Sequence, residues 1–373
     1  MKRLICSFDG TWNDDKNESQ LTNVVKLHRA ILPSDAQGVE QRALYIVGIA
    51  TAYTGRTQFL VGASGIEVSD RVKTGYQFLA EAYEPGDEIY LFGFSRGAFE
   101  ARSLAGLIAL LGLVRNGDAA AVDRAWSLYR QHASRSARAK LDTVRQLAHY
   151  PVPISCIGVW DTVGNLGNPL LPNSRINDVF DFHDTRWHET LAVGLHALAV
   201  DEARGPFRPT MWSMPKRARL PAGSRVEQVW FAGCHADVGG GYPETALSDI
   251  SLLWMAERVG SLTRLALDLP TLQRTTRPDP LGLQHSEIGH GWGRRLPFVR
   301  LIKQDLGGVS LLRRLALGSF RTNQLYGGEV SLNESVHDSV LLRLGNTVKQ
   351  SCGGVLQDIN YRPRTLRKIA RAR

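Results

Sequence analysis

The sequence predicts an α/β protein in which a mostly parallel sheet carries helices on both faces. Short apolar segments at 4–8, 43–47 and 89–92 have the length and composition of buried strands. Segments at 24–31 and 64–83, whose apolar residues recur at helical spacing, separate these strands. Such alternation of strand and helix is typical of a parallel sheet with helical crossovers.

The third predicted strand leads into a serine between two glycines. Gly93 and Gly97 lie two positions before and after Ser95, and the segment 99–113 behind them favours a helix. This pattern is weakly specific alone, but its context is that of a nucleophile elbow, a sharp strand-to-helix turn that needs small flanking residues. The elbow directs the Ser95 hydroxyl outward. It also places the Arg96 amide where it would help to hold an oxyanion.

Two further apolar segments, at 152–160 and 226–232, predict strands that end in potentially reactive side chains. Asp161 follows the first segment directly, and His235 comes shortly after the second. The functional site of an open α/β sheet lies beyond the carboxyl ends of its strands. We therefore expect both side chains to lie near Ser95.

These three side chains have the chemistry of a serine-hydrolase triad. A serine hydroxyl needs a base to take its proton, a histidine does so near neutral pH, and a carboxylate orients the histidine. Their order along the chain, serine then aspartate then histidine, is that of the α/β-hydrolases. The sequence predicts Ser95 as nucleophile, His235 as base and Asp161 as its partner, with no cofactor and no metal.

The end of the first predicted strand offers a second donor for the oxyanion. Asp9, Gly10 and Thr11 follow that strand directly. The backbone of Gly10 and Thr11 would donate this second hydrogen bond, and Gly10 would let the substrate approach closely. For Asp9, a capping or turn role is at least as well supported as a catalytic one.

Other interpretations remain open for the base and the carboxylate. His337 is an alternative base. Asp237 is close to His235 in sequence, but its position favours ordering the glycine turn that follows over reaching the imidazole. Bonding of His235 to the backbone, and a turn-capping role for Asp161, are the non-catalytic alternatives.

Composition predicts a globular protein made in the cytoplasm. The chain has 373 residues, of which 43% are hydrophobic, enough for a sizeable core. No apolar run approaches the length of a membrane span, and the N-terminus leads into a strand rather than a signal peptide. The four cysteines are far apart, which favours buried thiols over disulfides or zinc. Because the net charge of +9 is scattered through helices, nucleic acid is not an expected partner.

No linker divides residues 1–373 into independent domains, although several segments stand out. A helix is expected at 185–202, and a basic helical insertion at 116–150. The segment 270–328 mixes prolines, glycines and arginines without a period, as expected of a cap or substrate-binding region. A basic tail at 361–373 is expected to be solvated, with contact to an anionic membrane or a partner as the alternative.

Several of these segments together resemble one known family. They are 8–13, 83–97 with Arg102, 158–164, 197–209, 235–242 and 337–340. They resemble the bacterial and fungal α/β-hydrolase domain family known as domain of unknown function 2235, which includes class-one lipase effectors of type VI secretion. The resemblance implies a triad of Ser95, Asp161 and His235 acting on phospholipid esters. It also implies export by a specialised secretion system and a cognate immunity or chaperone protein.

The sequence as a whole predicts a serine esterase or lipase. The substrate would be a carboxylic ester, of a lipid or phospholipid, cleaved through an acyl-enzyme. The alternative is a non-catalytic binding or regulatory module on a hydrolase scaffold, which would engage an anionic membrane or a partner. The complete set of three reactive side chains favours the enzyme.

Overall fold

A parallel sheet covered by helices forms the centre of the computed structural model. The structure describes residues 1–10, 13, 15–48, 65–131, 135–164, 187–215, 217–287, 300, 302 and 329–366. Its strands are β1 (Arg3–Phe8), β2 (Gln41–Ile46), β3 (Glu88–Phe94), β4 (Leu113–Val114), β5 (Ala148–His149), β6 (Ile154–Trp160), β7 (Leu191–Ala199), β8 (Ser213–Pro215), β9 (Arg225–Phe231), β10 (Gln284–Ser286), β11 (Glu329–Ser331), β12 (Glu334–Val336), β13 (Thr347–Cys352) and β14 (Val355–Asn360). Its helices are α1 (Asn23–Arg29), α2 (Gly65–Ala82), α3 (Arg96–Leu111), α4 (Ala119–Arg130), α5 (Arg135–Gln146), α6 (His235–Gly239), α7 (Ala246–Leu262), α8 (Leu269–Thr275) and α9 (Asp338–Arg343).

Seven strands form the central sheet in the order β12-β9-β7-β6-β3-β1-β2, and every neighbouring pair is parallel. Helices α2, α3 and α4 contribute to the apolar core on one face, and α1, α7 and α8 to the core on the other. The predicted α/β class, with helices on both faces, is confirmed. Because all strands run the same way, their carboxyl ends lie along one edge of the sheet.

Strand β3 shows why the central strands have continuous apolar sequences. Ile89 and Leu91 contribute to the core on the α3 face, whereas Tyr90 and Phe92 contribute to the core on the α7 face. Successive side chains of a strand point to opposite faces, so a strand covered on both sides needs apolar residues at every position. The same burial fixes the end of β3, which directly precedes Ser95.

The predicted helix at 185–202 is wrong in the part that the structure describes. Residues Leu191–Ala199 form β7, which lies between β6 and β9 and is buried along nearly its whole length. An apolar run buried on both faces has no alternation, so its periodicity does not distinguish a central strand from a buried helix.

The structure describes most of the predicted insertion but only parts of the predicted cap and tail. Helices α4 and α5 lie within 116–150, and β4 and β5 pair antiparallel beside them. Most of the predicted cap at 270–328 lies outside the described residues. In the predicted tail, Tyr361 and Leu366 are buried and anchor the stretch 361–366 to the domain, whereas Arg362 is exposed. Residues 367–373 lie outside the described part.

Three further expectations concern thiols, membranes and metals. Cys6, Cys156 and Cys234 are buried free thiols, and Cys352 is partly buried. None of the helices described here has the length and apolar character needed to cross a bilayer. Within the same described ranges, no three side chains of histidine, cysteine, aspartate or glutamate are grouped as a metal site.

Candidate active site

Ser95 occupies a strained turn between β3 and α3. Its backbone has φ 59° and ψ −120°, a left-handed value that costs free energy for a residue with a side chain. Three backbone hydrogen bonds hold this turn: the Ser95 N–H donates to the Trp160 carbonyl at 3.0 Å, and the Ser95 carbonyl accepts from the N–H groups of Val163 and Phe99, each at 3.3 Å. The Ser95 hydroxyl does not cap α3, although serine commonly caps helices. The turn has the geometry of a nucleophile elbow.

The two glycines around Ser95 are required by close backbone packing. A Cβ atom at Gly93 would lie 2.4 Å from the Gly97 carbonyl oxygen, and one at Gly97 would lie 2.2 Å from the Phe8 carbonyl oxygen. Both distances are far below van der Waals contact. The first turn of α3 therefore packs directly on the end of β1, which fixes where Ser95 lies.

We expect Gly97→Ala to destabilise the protein by about 2–3 kcal/mol, because the new methyl group must displace the backbone of β1. Gly205→Ala is the matched control, since a Cβ atom there meets nothing within 4 Å. The free energy of unfolding in urea measures both. Ordinary surface substitutions change the free energy of unfolding by under about 0.5 kcal/mol. A loss that small in Gly97→Ala would contradict the close packing of the elbow on β1.

Asp161 lies beside Ser95 because of the register between β3 and β6. Phe94 pairs with Trp160, so the two polar residues follow directly opposed positions. Asp161 also has a left-handed φ of 39° and is completely buried. Its Oδ1 accepts from the Ala199 N–H at 3.1 Å, and its Oδ2 lies 2.6 Å from His235 Nδ1.

His235 is the first residue of α6, and its ring is buried between two aromatic side chains. The centroids of the Phe94 and Phe207 rings lie 4.6 Å and 4.9 Å from that of the imidazole. The Asp161 carboxylate only accepts hydrogen bonds when ionised, so Nδ1 carries the proton and Nε2 is the basic nitrogen. Burial lowers the pKa of His235, against the opposing effect of the Asp161 charge and hydrogen bond. The imidazole is therefore neutral at neutral pH, as a general base must be.

Arg300 is a contributor to this site that sequence reasoning missed. It is fully buried, and both of its terminal nitrogens donate to the Asp161 carboxylate. Burial alone would raise the pKa of Asp161, but the Arg300 charge and the hydrogen bonds from Arg300 and His235 hold it well below the ordinary range. No sequence signal pointed to Arg300, which lies 139 residues after Asp161 in a segment without periodicity.

The sequence predicts three backbone N–H groups as oxyanion donors, those of Arg96, Gly10 and Thr11. Arg96 begins α3, as expected of the amide beside an elbow serine. The prediction for Gly10 is not supported, because its N–H donates to Asp9 Oδ1 at 2.7 Å and is already occupied. Thr11 lies outside the described residues.

The Asp9 carboxylate makes hydrogen bonds that connect the end of β1 to its neighbours. Its buried carboxylate also accepts from Thr22 Oγ1 at 2.8 Å and from Tyr45 Oη at 2.6 Å. Burial raises the pKa of Asp9 to about 6, although these hydrogen bonds favour the charged form. The bonds from Thr22 and Tyr45 fix the end of β1 against the start of α1 and against β2.

Asp237 caps the start of α6 and contacts His285. Its Oδ2 accepts from the Cys234 N–H at 2.9 Å and so caps α6, the helix that His235 begins. Its Oδ1 lies 2.7 Å from His285 Nδ1. Asp237 therefore pairs with His285, and Asp161 with His235.

His337 lies away from the elbow. It follows β12, which is four strands from β3 in the sheet order, roughly 19 Å at the usual strand spacing. Its Nδ1 accepts from the Ser339 N–H at 3.2 Å and caps α9. The alternative base is thus not brought to Ser95, and a capping role accounts for it.

The parallel sheet, the elbow serine and the Asp161–His235 pair at one sheet edge define an α/β-hydrolase-like catalytic domain. More specifically, the chain belongs to the family of type VI secretion system phospholipase effector Tle1-like catalytic domains, whose model matches residues 2–258. The family resemblance predicted from the sequence is confirmed.

The individual proteins that resemble this chain share under a third of its residues in the aligned regions. The uncharacterised protein YEL023C of Saccharomyces cerevisiae is 29% identical over 232 residues, which is 56% of this chain and 32% of the yeast protein. An uncharacterised Pseudomonas aeruginosa protein of known structure is 17% identical, with a TM-score of 0.45 over 74% of this chain and 49% of its own. The Tle1 effector bound to the VgrG spike is 18% identical, with a TM-score of 0.35 over 65% of this chain and 51% of its own. The chain thus spans about a third of the yeast relative and about half of these two structures.

Proposed function

We propose that the protein is a serine hydrolase that cleaves the acyl esters of phospholipids. The observation that carries the proposal is the buried Asp161–His235 pair, 2.6 Å apart, at the sheet edge where Ser95 is held in a strained elbow. Packing of the Phe94 ring on the imidazole supports the proximity of His235 to the neighbouring Ser95. Strained backbone at two of the three residues is typical of functional sites.

Each residue has one role in the proposed reaction. His235 Nε2 takes the proton of Ser95 Oγ as that oxygen attacks the acyl carbonyl carbon. The Arg96 N–H donates to the oxyanion, and the helix N-terminus favours its negative charge. His235 then gives its proton to the leaving alcohol oxygen. Asp161 stays ionised throughout and stabilises the imidazolium.

The second half of the reaction restores the enzyme. His235 Nε2 takes a proton from a water molecule, whose oxygen attacks the acyl-enzyme carbonyl and releases the fatty acid and Ser95 Oγ–H. Because burial lowers the pKa of His235, the basic form persists below the ordinary histidine pKa of about 6.5. We therefore expect kcat/KM to keep its plateau below that pH.

The family supports the choice of phospholipid as substrate, since its members are described as phospholipase effectors. It likewise supports delivery by a type VI secretion system, in which the Tle1 relative binds a VgrG spike. We expect the substrate ester to reach Ser95 at the carboxyl edge of the sheet, where Arg96 would hold the oxyanion.

A lipid panel tests this proposal directly. Wild type and Ser95→Ala are incubated with vesicles of phosphatidylcholine, phosphatidylethanolamine and phosphatidylglycerol and with an emulsified triacylglycerol, and the products are identified by mass spectrometry. Wild type should release fatty acid and lysophospholipid, and Ser95→Ala neither. Release from triacylglycerol alone would contradict the phospholipid assignment, and equal release by both proteins would contradict the role of Ser95.

A further inference from the structure

Arg300 lies beyond residue 258, where the family match ends, yet it contacts the proposed triad. We propose that Arg300 is a positioning residue for the reaction: it fixes the Asp161 carboxylate in the orientation that pairs with His235 and offsets part of its charge. This inference rests on the proposed function. It adds a required group that the matched segment does not contain.

The geometry around Arg300 is that of a fixed clamp. Nη1 donates to Asp161 Oδ1, and Nη2 donates to Oδ2 at 2.9 Å. The same two nitrogens donate to the carbonyls of Ala199 at 2.8 Å and Phe207 at 2.7 Å. A planar guanidinium held by two carbonyls accepts only one orientation of a carboxylate. Oδ2 is therefore directed at the imidazole of His235.

The carbonyl contacts also connect Arg300 to the aromatic enclosure of the base. Phe207 accepts from Arg300 through its backbone, and its ring packs against His235 at a centroid distance of 4.9 Å. Ala199 binds both members of the ion pair, because its N–H donates to Asp161 Oδ1 and its carbonyl accepts from Arg300. One side chain thus joins β7, the segment after it and the end of β6.

Burial makes this ion pair consequential for catalysis. Asp161 and Arg300 are both fully removed from water, so solvent does not screen their charges. Without Arg300, the uncompensated Asp161 charge would bind the proton of His235 more tightly. The base would then stay protonated, and inactive, to higher pH.

The other charges near His235 largely cancel. Glu202 accepts from the His235 N–H at 3.3 Å but is paired with Arg204 at 2.6 Å. Asp237, on the same helix, is paired with His285. The Cys234 thiol is neutral, because burial raises its pKa well above the ordinary value. The charge that acts most strongly on the imidazole is therefore that of Asp161, the carboxylate that Arg300 contacts.

Arg300→Gln and Arg300→Lys separate charge from shape. The probe reaction is hydrolysis of p-nitrophenyl butyrate, followed as kcat/KM against pH. Arg300→Gln keeps an amide donor but loses the charge. The acid limb, which is the fall of kcat/KM on the acidic side of the pH profile, should therefore shift to higher pH by about 1 unit or more. Arg300→Lys keeps the charge, so the acid limb of its kcat/KM profile should stay near the wild-type pH. Its kcat/KM should fall about tenfold, because one ammonium does not reproduce the bidentate clamp.

Arg343→Gln is the matched control. Arg343 is also fully buried and also lies beyond the matched segment, where it donates to the carbonyls of Pro280 at 2.7 Å and Gly282 at 2.9 Å. Loss of this guanidinium should lower stability without moving the acid limb, as should any purely structural change. Thermal unfolding of each variant reports the stability.

An unmoved acid limb in folded Arg300→Gln would overturn the proposal, as would a wild-type kcat/KM in Arg300→Lys. If Arg300→Gln does not fold, Arg300→Lys decides. Labelling of wild type with a fluorophosphonate separates this from the underlying function. If wild type is labelled and active but the Arg300 variants keep the wild-type pH profile and kcat/KM, only the role of Arg300 is refuted. If wild type is neither labelled nor active, the proposed function and this inference are refuted together.

Discussion

Ser95→Ala is expected to lower kcat/KM for p-nitrophenyl butyrate by about 10⁴-fold or more, because only the hydroxyl oxygen forms the acyl-enzyme. The fold should be unaffected, since the hydroxyl does not cap α3 and alanine keeps the same backbone demand at this turn. Ester hydrolysis by titration or absorbance, with the free energy of unfolding measured alongside, separates these two effects.

Ser103→Ala is the control for that experiment. Ser103 is a buried serine of the same helix, and its hydroxyl donates to the Phe99 carbonyl at 2.8 Å. Its replacement should cost about 1 kcal/mol of stability, the usual value of such a bond, with activity within threefold of wild type. Equal losses of activity in both variants would mean that Ser95 acts through the structure of α3 and not as a nucleophile.

His235→Gln is expected to lower kcat/KM by a similar factor of about 10⁴, because it removes the base to which the proposed mechanism assigns the serine proton. His337→Gln should leave kcat/KM within about threefold, since His337 caps α9 far from the elbow. Glutamine keeps polar atoms of similar size at both positions but does not act as a base near neutral pH. The same ester assay applies to both variants.

The two histidine variants decide between the alternatives that the sequence left open. A large loss in His337→Gln with a small loss in His235→Gln would reverse the assignment. Large losses in both would point to a relay between them, which a distance of roughly four strand spacings does not support. The stability of each variant should be measured to exclude simple unfolding.

The strand-end residues were predictable because parallel strands place their carboxyl ends at one edge of the sheet. Ser95, Asp161 and His235 each follow an apolar segment that could be recognised from composition alone. Topology then places all three at the same edge of the sheet. The elbow was likewise predictable, since the clash that excludes a side chain at Gly97 leaves a glycine in the sequence.

The remaining features depend on tertiary contacts that leave no local pattern. Strand β7 is apolar on both faces, so it matched a buried helix equally well. Arg300 is one of many arginines in an irregular segment, and only the folded chain brings it to Asp161. The Gly10 amide was available in the sequence but is bonded to Asp9 in the structure. Hydrogen-bond partners of this kind are set by packing, not by spacing.

The covalent adduct of a fluorophosphonate probe is the most direct test of the proposed mechanism. Wild type is treated with the probe at neutral pH, digested and sequenced by tandem mass spectrometry. The mechanism predicts one adduct, on the hydroxyl oxygen of Ser95, with labelling lost in Ser95→Ala and strongly slowed in His235→Gln. An adduct on another serine, or undiminished labelling of Ser95→Ala, would contradict it.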